Sequence, residues 1–115
     1  MADEPKPLVP IAAFGALDLR TGRIVEAGPH PNADRLVVLK VDVGDPEPRQ
    51  IVAGIAPYYP DIASLVGRTI IVVCNLEPAT LRGVASNGML LAAGGKNHRG
   101  LLTVAGDCPG GERVS

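Results

Sequence analysis

Hydrophobic and polar positions alternate along most of this chain, and the breaks in the alternation fall at turn residues. Residues 17–27 (LDLRTGRIVEA) put Leu17, Leu19 and Thr21 on one face and Asp18 and Arg20 on the other. That two-residue period predicts a half-buried strand. Gly22 sits inside it, where a glycine marks a bulge or a tight bend at a barrel corner. Beyond Gly22 the apolar residues Ile24 and Val25 are adjacent, as a register change would make them. Residues 28–34 (GPHPNAD) read as a loop, with two prolines, a glycine and an asparagine. Residues 35–43 (RLVVLKVDV) predict a second strand, residues 44–48 (GDPEP) a turn, and residues 49–53 (RQIVA) a third strand.

Residues 54–67 (GIAPYYPDIASLVG) are the one credible helical segment, kept short by prolines. Pro60 suits a first turn, and Ile62, Leu65 and Val66 form the buried stripe. Residues 68–76 (RTIIVVCNL) are apolar on both faces, which predicts a central strand. A polar connection over 77–87, a fifth strand over 88–93 and a sixth over 101–105 follow, before a turn-rich end at 108–115. Residues 1–10 (MADEPKPLVP) read as a loose arm, and residues 11–16 as a helical turn carrying Phe14 onto the end of the body. Three strands, a short helix and two strands is the order of the OB-fold, a five-stranded Greek-key barrel. The expected organisation is therefore all-β, with a flexible arm over 1–13 and an OB-type domain over 14–115. A six-stranded sandwich gives much the same pattern.

Composition narrows this reading in two ways. Hydrophobic residues make up 46% of the 115, but aromatic ones only 3%, so the core must be built from Val, Ile, Leu and Ala. The formal charge is −1, and residues 17–93 hold 7 basic against 8 acidic side chains, so no overall positive field advertises a polyanionic partner. A local basic face remains compatible with that total, because affinity for nucleic acid comes from local phosphate contacts. Cys74 and Cys108 fit no metal spacing and read as reduced thiols, with a disulfide left open. The opening residues lack the basic and apolar regions of a signal peptide, and no apolar run approaches a membrane span, so the expected location is cytoplasmic.

Candidate chemistry is sparse. His30 and His98 read as exposed loop histidines without a Cys, His or carboxylate at ligand spacing. Ser64 and Ser86 lack the context of a nucleophile elbow. Gly94, Gly95 and Lys96 look superficially like a phosphate loop but lack the rest of its pattern. No metal, cofactor or catalysis is expected. The segment over 75–93 (NLEPATLRGVASNGMLLAA) is richer. In an OB-fold it supplies one of two loops flanking the binding face. Asn75, Asn87 and Ser86 offer hydrogen bonds, Arg82 a planar fork for phosphate, and Met89 a soft apolar surface for a base. Gly88 would let a ligand backbone approach. The plainer alternative is a polar connection in which both asparagines satisfy turn backbone. On the other flank, residues 30–36 (HPNADRL) lead into a strand bearing Arg35 and Lys40, which are either solvated charge or part of the same face.

Three stretches carry a resemblance: FGALDLRTGRIVEAGPHPNADRLVVLKVDVG, QIVAGIAPYYPDIASLVGR and IIVVCNLEPATLRGVASNGMLLAA, in that order, closed by LLTVAGDCPGGERV. Together they resemble the tRNA-binding domain family. That module occurs free-standing, appended to methionyl-tRNA synthetase, in the phenylalanyl-tRNA synthetase β subunit, and in cofactors related to endothelial-monocyte-activating polypeptide II. The resemblance implies an OB-fold that binds tRNA by shape, contacting phosphates and 2′-hydroxyls. By position it implies binding roles for Asn75, Ser86 and Met89; Arg82, Asn87, Lys40 and Arg35 are added on their chemistry. The partners it implies are tRNA, an aminoacyl-tRNA synthetase and a second copy of the chain. The chain departs from the family where NLxPxKL becomes NLEPATL, with Ala79 and Thr80 in place of an expected cation. That departure implies weak binding, micromolar at best. The charge balance also keeps open a protein-binding, export-chaperone-like role on the same fold.

Overall fold

The computed structural model describes residues 5–115. Its centre is a five-stranded antiparallel sheet in the order β3-β2-β1-β4-β7. The strands are β1 (Leu19–His30), β2 (Ala33–Asp42), β3 (Arg49–Ala53), β4 (Thr69–Val73) and β7 (Met89–Leu90). Between β4 and β7 lies a separate hairpin of β5 (Ala79–Leu81) and β6 (Val84–Ser86). After β7 come β8 (Ala92–Gly94) and β9 (Arg99–Leu101), also a hairpin. This is the OB-type order.

β1 is long because it serves two ladders. Residues 19–23 pair with β4 and residues 23–30 with β2. The strand must bend sharply between them, and Gly22 is buried at the bend. A Cβ built there would lie 2.6 Å from Val41 Cγ1 and 3.1 Å from Val43 Cγ1. The register then slips between Ile24 and Glu26, so Val25 is the extra, exposed residue of a bulge. The adjacent apolar pair in the sequence is thus explained. The C-terminal stretch covers the edge of β1 that β2 has left. Thr21 N–H donates to Glu112 C=O (2.8 Å), and Gly111 N–H to Thr21 C=O (2.7 Å).

The core is aliphatic. Ile24, Val37, Leu39, Val41, Ile51 and Ile70 are among its fully buried residues. Each such side chain contributes roughly 1.5–3 kcal/mol on leaving water. Tyr59 only packs against the rim, and Phe14 remains 42% exposed on a five-residue helix, α1 (Ile11–Gly15), that has no buried residue. Residues 1–4 of the expected arm lie outside the described residues; residues 5–10 are irregular and exposed. Cys74 is buried, Cys108 half-buried, and both are free thiols.

Several local expectations are corrected. The loop over 28–34 is a hairpin: β1 runs to His30 and β2 starts at Ala33, leaving two turn residues. The register jump between Pro29 and His30 absorbs the proline, which a bulge tolerates, and leaves residues 34–36 outside the ladder. In place of a helix over 54–67 there are two short 3₁₀ turns, Ala56–Tyr58 and Ile62–Leu65. Pro57 and Pro60 remove the donors that an α-helix would need. Only Leu65 of the expected stripe is fully buried; Val66 is exposed. The connection over 77–87 holds the β5–β6 hairpin, the fifth strand is split at Leu91, and the sixth begins at Arg99.

Gly22→Ala is expected to lower stability by about 1–3 kcal/mol, because the overpacked methyl meets β-branched neighbours that cannot swing away. Urea unfolding of both proteins, read as a shift in midpoint, checks this.

Candidate nucleic-acid interface

The β5–β6 hairpin turns in two residues, Arg82 and Gly83, both with positive φ (51° and 90°). Such a turn matches the twist of paired strands. It presents Arg82 at an exposed tip, directly beside the β1–β2 turn. Asn32 N–H donates to His30 Nδ1 at 2.9 Å. That leaves Nε2 as the protonated nitrogen, and it donates to Leu81 C=O, also at 2.9 Å. Longer bonds join Asn32 Nδ2 to Arg82 C=O (3.5 Å) and Arg82 Nη2 to Asn32 C=O (3.4 Å). His30 is only 6% exposed. The expectation of an exposed loop histidine is therefore wrong for His30, which is a buried clamp between two loops; His98 is exposed.

Arg35 lies in the stretch of β2 that bulges from the ladder. It shares a shallow surface hollow with Arg82, Asn32 and Asp34. The two loops thus bring two guanidinium groups to one side of the barrel, with a single acid between them.

Below the hairpin, β3 meets the start of β7 without a strand ladder. Ser86 Oγ accepts from Val52 N–H (3.0 Å) and donates to Gly88 C=O (3.2 Å). Asn87 N–H donates to Gln50 C=O, and Gln50 Nε2 to Ala85 C=O, each at 2.8 Å. Ser86 is 4% exposed, so its hydroxyl is spent on this seam and is not offered to a ligand in the free protein. Gly88 (φ 134°) is likewise packed inward, against Val72, Val73 and Ile51. It serves close packing of the chain on itself, contrary to the expected approach of a ligand.

Met89 is 48% exposed and lies in a groove of about 460 Å³ with Val52, Gly54, Leu81, Leu91 and Arg99. Lys40 and Asn87 line a more open hollow with Gln50, Asp45, Glu47 and Arg49. Its charges cancel locally. Arg49 pairs with Asp45 (2.9 Å), which also receives Arg20 Nη1 (3.1 Å). The Arg49 bond holds the Asp45 carboxyl below its usual range, and the Arg20 bond does the same for Asp18. Burial pushes the Cys74 thiol up. Asn75 is set apart from the hairpin tip. Its Oδ1 accepts from Asp18 N–H and its Nδ2 donates to Ala16 C=O, both at 2.8 Å, fastening the α1–β1 junction. The seven candidate residues are therefore not one cluster. Arg82 and Arg35 meet, Lys40 and Asn87 meet, Met89 occupies the groove between hairpin and barrel, and Asn75 and Ser86 hold backbone.

The family model described as "Putative tRNA binding domain" matches residues 19–113, from the first residue of β1 to the stretch that pairs back onto it. The chain belongs to this tRNA-binding domain family. It is 47% identical over 105 residues to the methionine–tRNA ligase of Protochlamydia amoebophila, covering 91% of this chain and 15% of the ligase. The chain thus spans a small part of that enzyme's length. A methionyl-tRNA-synthetase-related protein from Pyrococcus horikoshii superposes with a TM-score of 0.86 at 33% identity, covering 96% of this chain and all of that one. The chaperone CsaA of Bacillus anthracis superposes at 0.84 and 26% identity, covering 95% of this chain and all of that one. As a tRNA-binding domain the chain matches a segment of synthetases while containing, among its described residues, no group of three or more metal-ligating side chains. No described helix is long and apolar enough to cross a membrane.

Sequence reasoning placed His30 on a flank of this region but missed its role, and missed Gln50 and Leu81 as parts of it. Spacing gave no signal for them, because each acts through a contact 35 to 51 residues away along the chain. His30→Ala leaves Leu81 C=O and Asn32 N–H without their partner. It is expected to cost about 2 kcal/mol of stability and to speed amide exchange in the β5–β6 hairpin, measured by hydrogen–deuterium exchange against the parent.

Proposed function

We propose that this domain binds tRNA without chemistry, reading its shape and backbone, and that it assists an aminoacyl-tRNA synthetase in the cytoplasm. The observation that carries the reading is the clamp of His30 and Asn32 on the β5–β6 hairpin. It fixes Arg82 beside Arg35 before any ligand arrives, so binding need not order a mobile loop. Arg82 and Arg35 contact phosphates; Lys40 and Asn87 contact the backbone further along β2 and the seam. Met89 supplies an apolar surface for an unstacked base, in a chain with almost no aromatic residues to do so. Ser86 and Asn75 act by position, through the seam and the α1–β1 junction. With Ala79 and Thr80 in place of a cation, affinity stays in the micromolar range at physiological salt.

The test is a salt-titrated binding assay with unfractionated tRNA, using single-stranded DNA of matched length as control. Preference for tRNA, with a clear loss in the Arg82→Gln, Met89→Ala double variant, is expected. Nanomolar binding at physiological salt, or no binding even at low salt, overturns the reading. In the second case the likeness to CsaA makes protein binding the reading to pursue.

A second copy of the chain is the partner proposed for the α1 end. Leu8, Val9 and Ile11 are largely exposed, and Ile11, Phe14, Leu17 and Val114 line a groove there. Light scattering at micromolar concentration is expected to give twice the chain mass, falling to the monomer for Ile11→Asp, Phe14→Asp; a parent that scatters as a monomer refutes the dimer.

A further inference from the structure

The total charge conceals an asymmetry along the chain. Between Glu77 and Asp107 there is no acidic residue, yet Arg82, Lys96, Arg99 and His98 all fall there. The stretch builds β5 to β9. It therefore supplies both the hairpin that carries Arg82 and the hairpin that carries Lys96 and Arg99, with Met89 between them in the chain.

The groove beside Met89 joins the two. Leu81 of the first hairpin and Arg99 of the second both line it, and its floor includes Val52 and Ile55 of the barrel. The second hairpin is held firmly. Arg99 Cζ lies 5.3 Å from the ring centroid of Tyr58, and the Tyr58 hydroxyl donates to Lys96 C=O at 3.0 Å. Leu101 N–H donates to the Tyr59 hydroxyl at 3.4 Å. Gly94 (φ 142°) closes tightly on the His98 backbone, which leaves no room for a side chain. The two tyrosines of the 54–67 segment therefore anchor the β8–β9 hairpin and hold Arg99 in the lining of the groove, with Lys96 exposed in the turn of the same hairpin. A guanidinium backed by an aromatic ring is a stacking surface for a base and a phosphate fork at once.

We propose that the β8–β9 hairpin is a second bank of the RNA site. One unstacked nucleotide lies on Met89 and Leu81, with its flanking phosphates held by Arg82 on one bank and by Lys96 and Arg99 on the other. The proposal rests on the tRNA-binding reading above. The partner is a polyanion because the one charged side chain lining the groove, Arg99, is a cation and the two hairpins that flank it carry Arg82 and Lys96 without an acid; its apolar floor calls for a base.

The experiment compares Lys96→Gln, Arg99→Gln and their combination with the parent, by salt-titrated binding to unfractionated tRNA and to a fully paired RNA duplex. Arg23→Gln, an exposed β1 cation remote from the groove lining, controls for the same change in net charge. For tRNA, the slope of log K against log salt is expected to fall by about 1 per lost phosphate contact, hence about 2 in the double variant. For the duplex, which offers no unstacked base, the variants should lose no more than the same number of control charges would. A double variant that binds tRNA with the parent's affinity and slope overturns the second bank. Equal losses on tRNA and duplex overturn the unstacked nucleotide. A parent that binds no tRNA at low salt fails the underlying reading instead. Circular dichroism monitors folding. Should loss of the Arg99–Tyr58 stack unfold the double variant, the exposed Lys96→Gln decides alone, with a slope lower by about 1 expected and an unchanged slope overturning.

Discussion

β1 has to belong to two ladders at once, and everything else in the barrel is arranged around that demand. A strand that pairs with β4 through its first residues and with β2 through its last must turn its face part-way along. Gly22 makes the turn possible, because a Cβ at that point would crowd Val41 Cγ1 at 2.6 Å. The bulge at Val25 then restores inward-facing register for the rest of the strand. The C-terminal stretch completes the arrangement by satisfying the backbone groups that β2 leaves behind on the first half of β1. Thr21, buried there, accepts from Glu112 N–H and donates to Pro109 C=O.

Closure elsewhere depends on side chains. At the seam between β3 and β7, Ser86 and Gln50 replace the ladder that two continuous strands would make. Elsewhere, Asn75 ties the approach of α1 to β4, while Arg20 and Arg49 converge on Asp18 and Asp45. None of these polar groups is orphaned: among the described residues, no buried side-chain nitrogen or oxygen lacks a partner. Residues that look like a ligand-binding set in the sequence are thereby divided. Some hold the frame, and others stand on it.

Charge is divided along the chain in the same way, although its total is close to zero. Most acidic residues lie before Pro78, and two of them, Asp18 and Asp45, are neutralised in place by Arg20 and Arg49. The hairpins that follow carry cations without acids. His30 couples the two regions, because a single neutral imidazole accepts from one loop and donates to the other. Averaged over the chain, charge hides this; resolved by element, the acids precede Pro78 or follow Gly106, and the hairpins between carry only cations.

The third strand, Arg49–Ala53, stands at the very residues its pattern predicts, and the strand of Ile70–Val73 is buried as its continuous apolar run requires. These were legible because period and hydrophobicity act within a few residues. The turn at residues 28–34 and the helix over 54–67 were misread because prolines there do different work once a bulge or a 3₁₀ turn is available. Ser86 could be singled out from the motif around it, but its burial could not, since that depends on Val52 arriving from 34 residues away. The sequence alone determined an aliphatic all-β domain, the succession of its main strands along the chain and its family, because these follow from local periodicity and motif order. Only the tertiary structure decided which polar residues face solvent, that His30 joins two loops, and that Met89 lies between two cationic hairpins. Those properties are set by long-range hydrogen bonds and packing, and these leave no periodic trace along the chain.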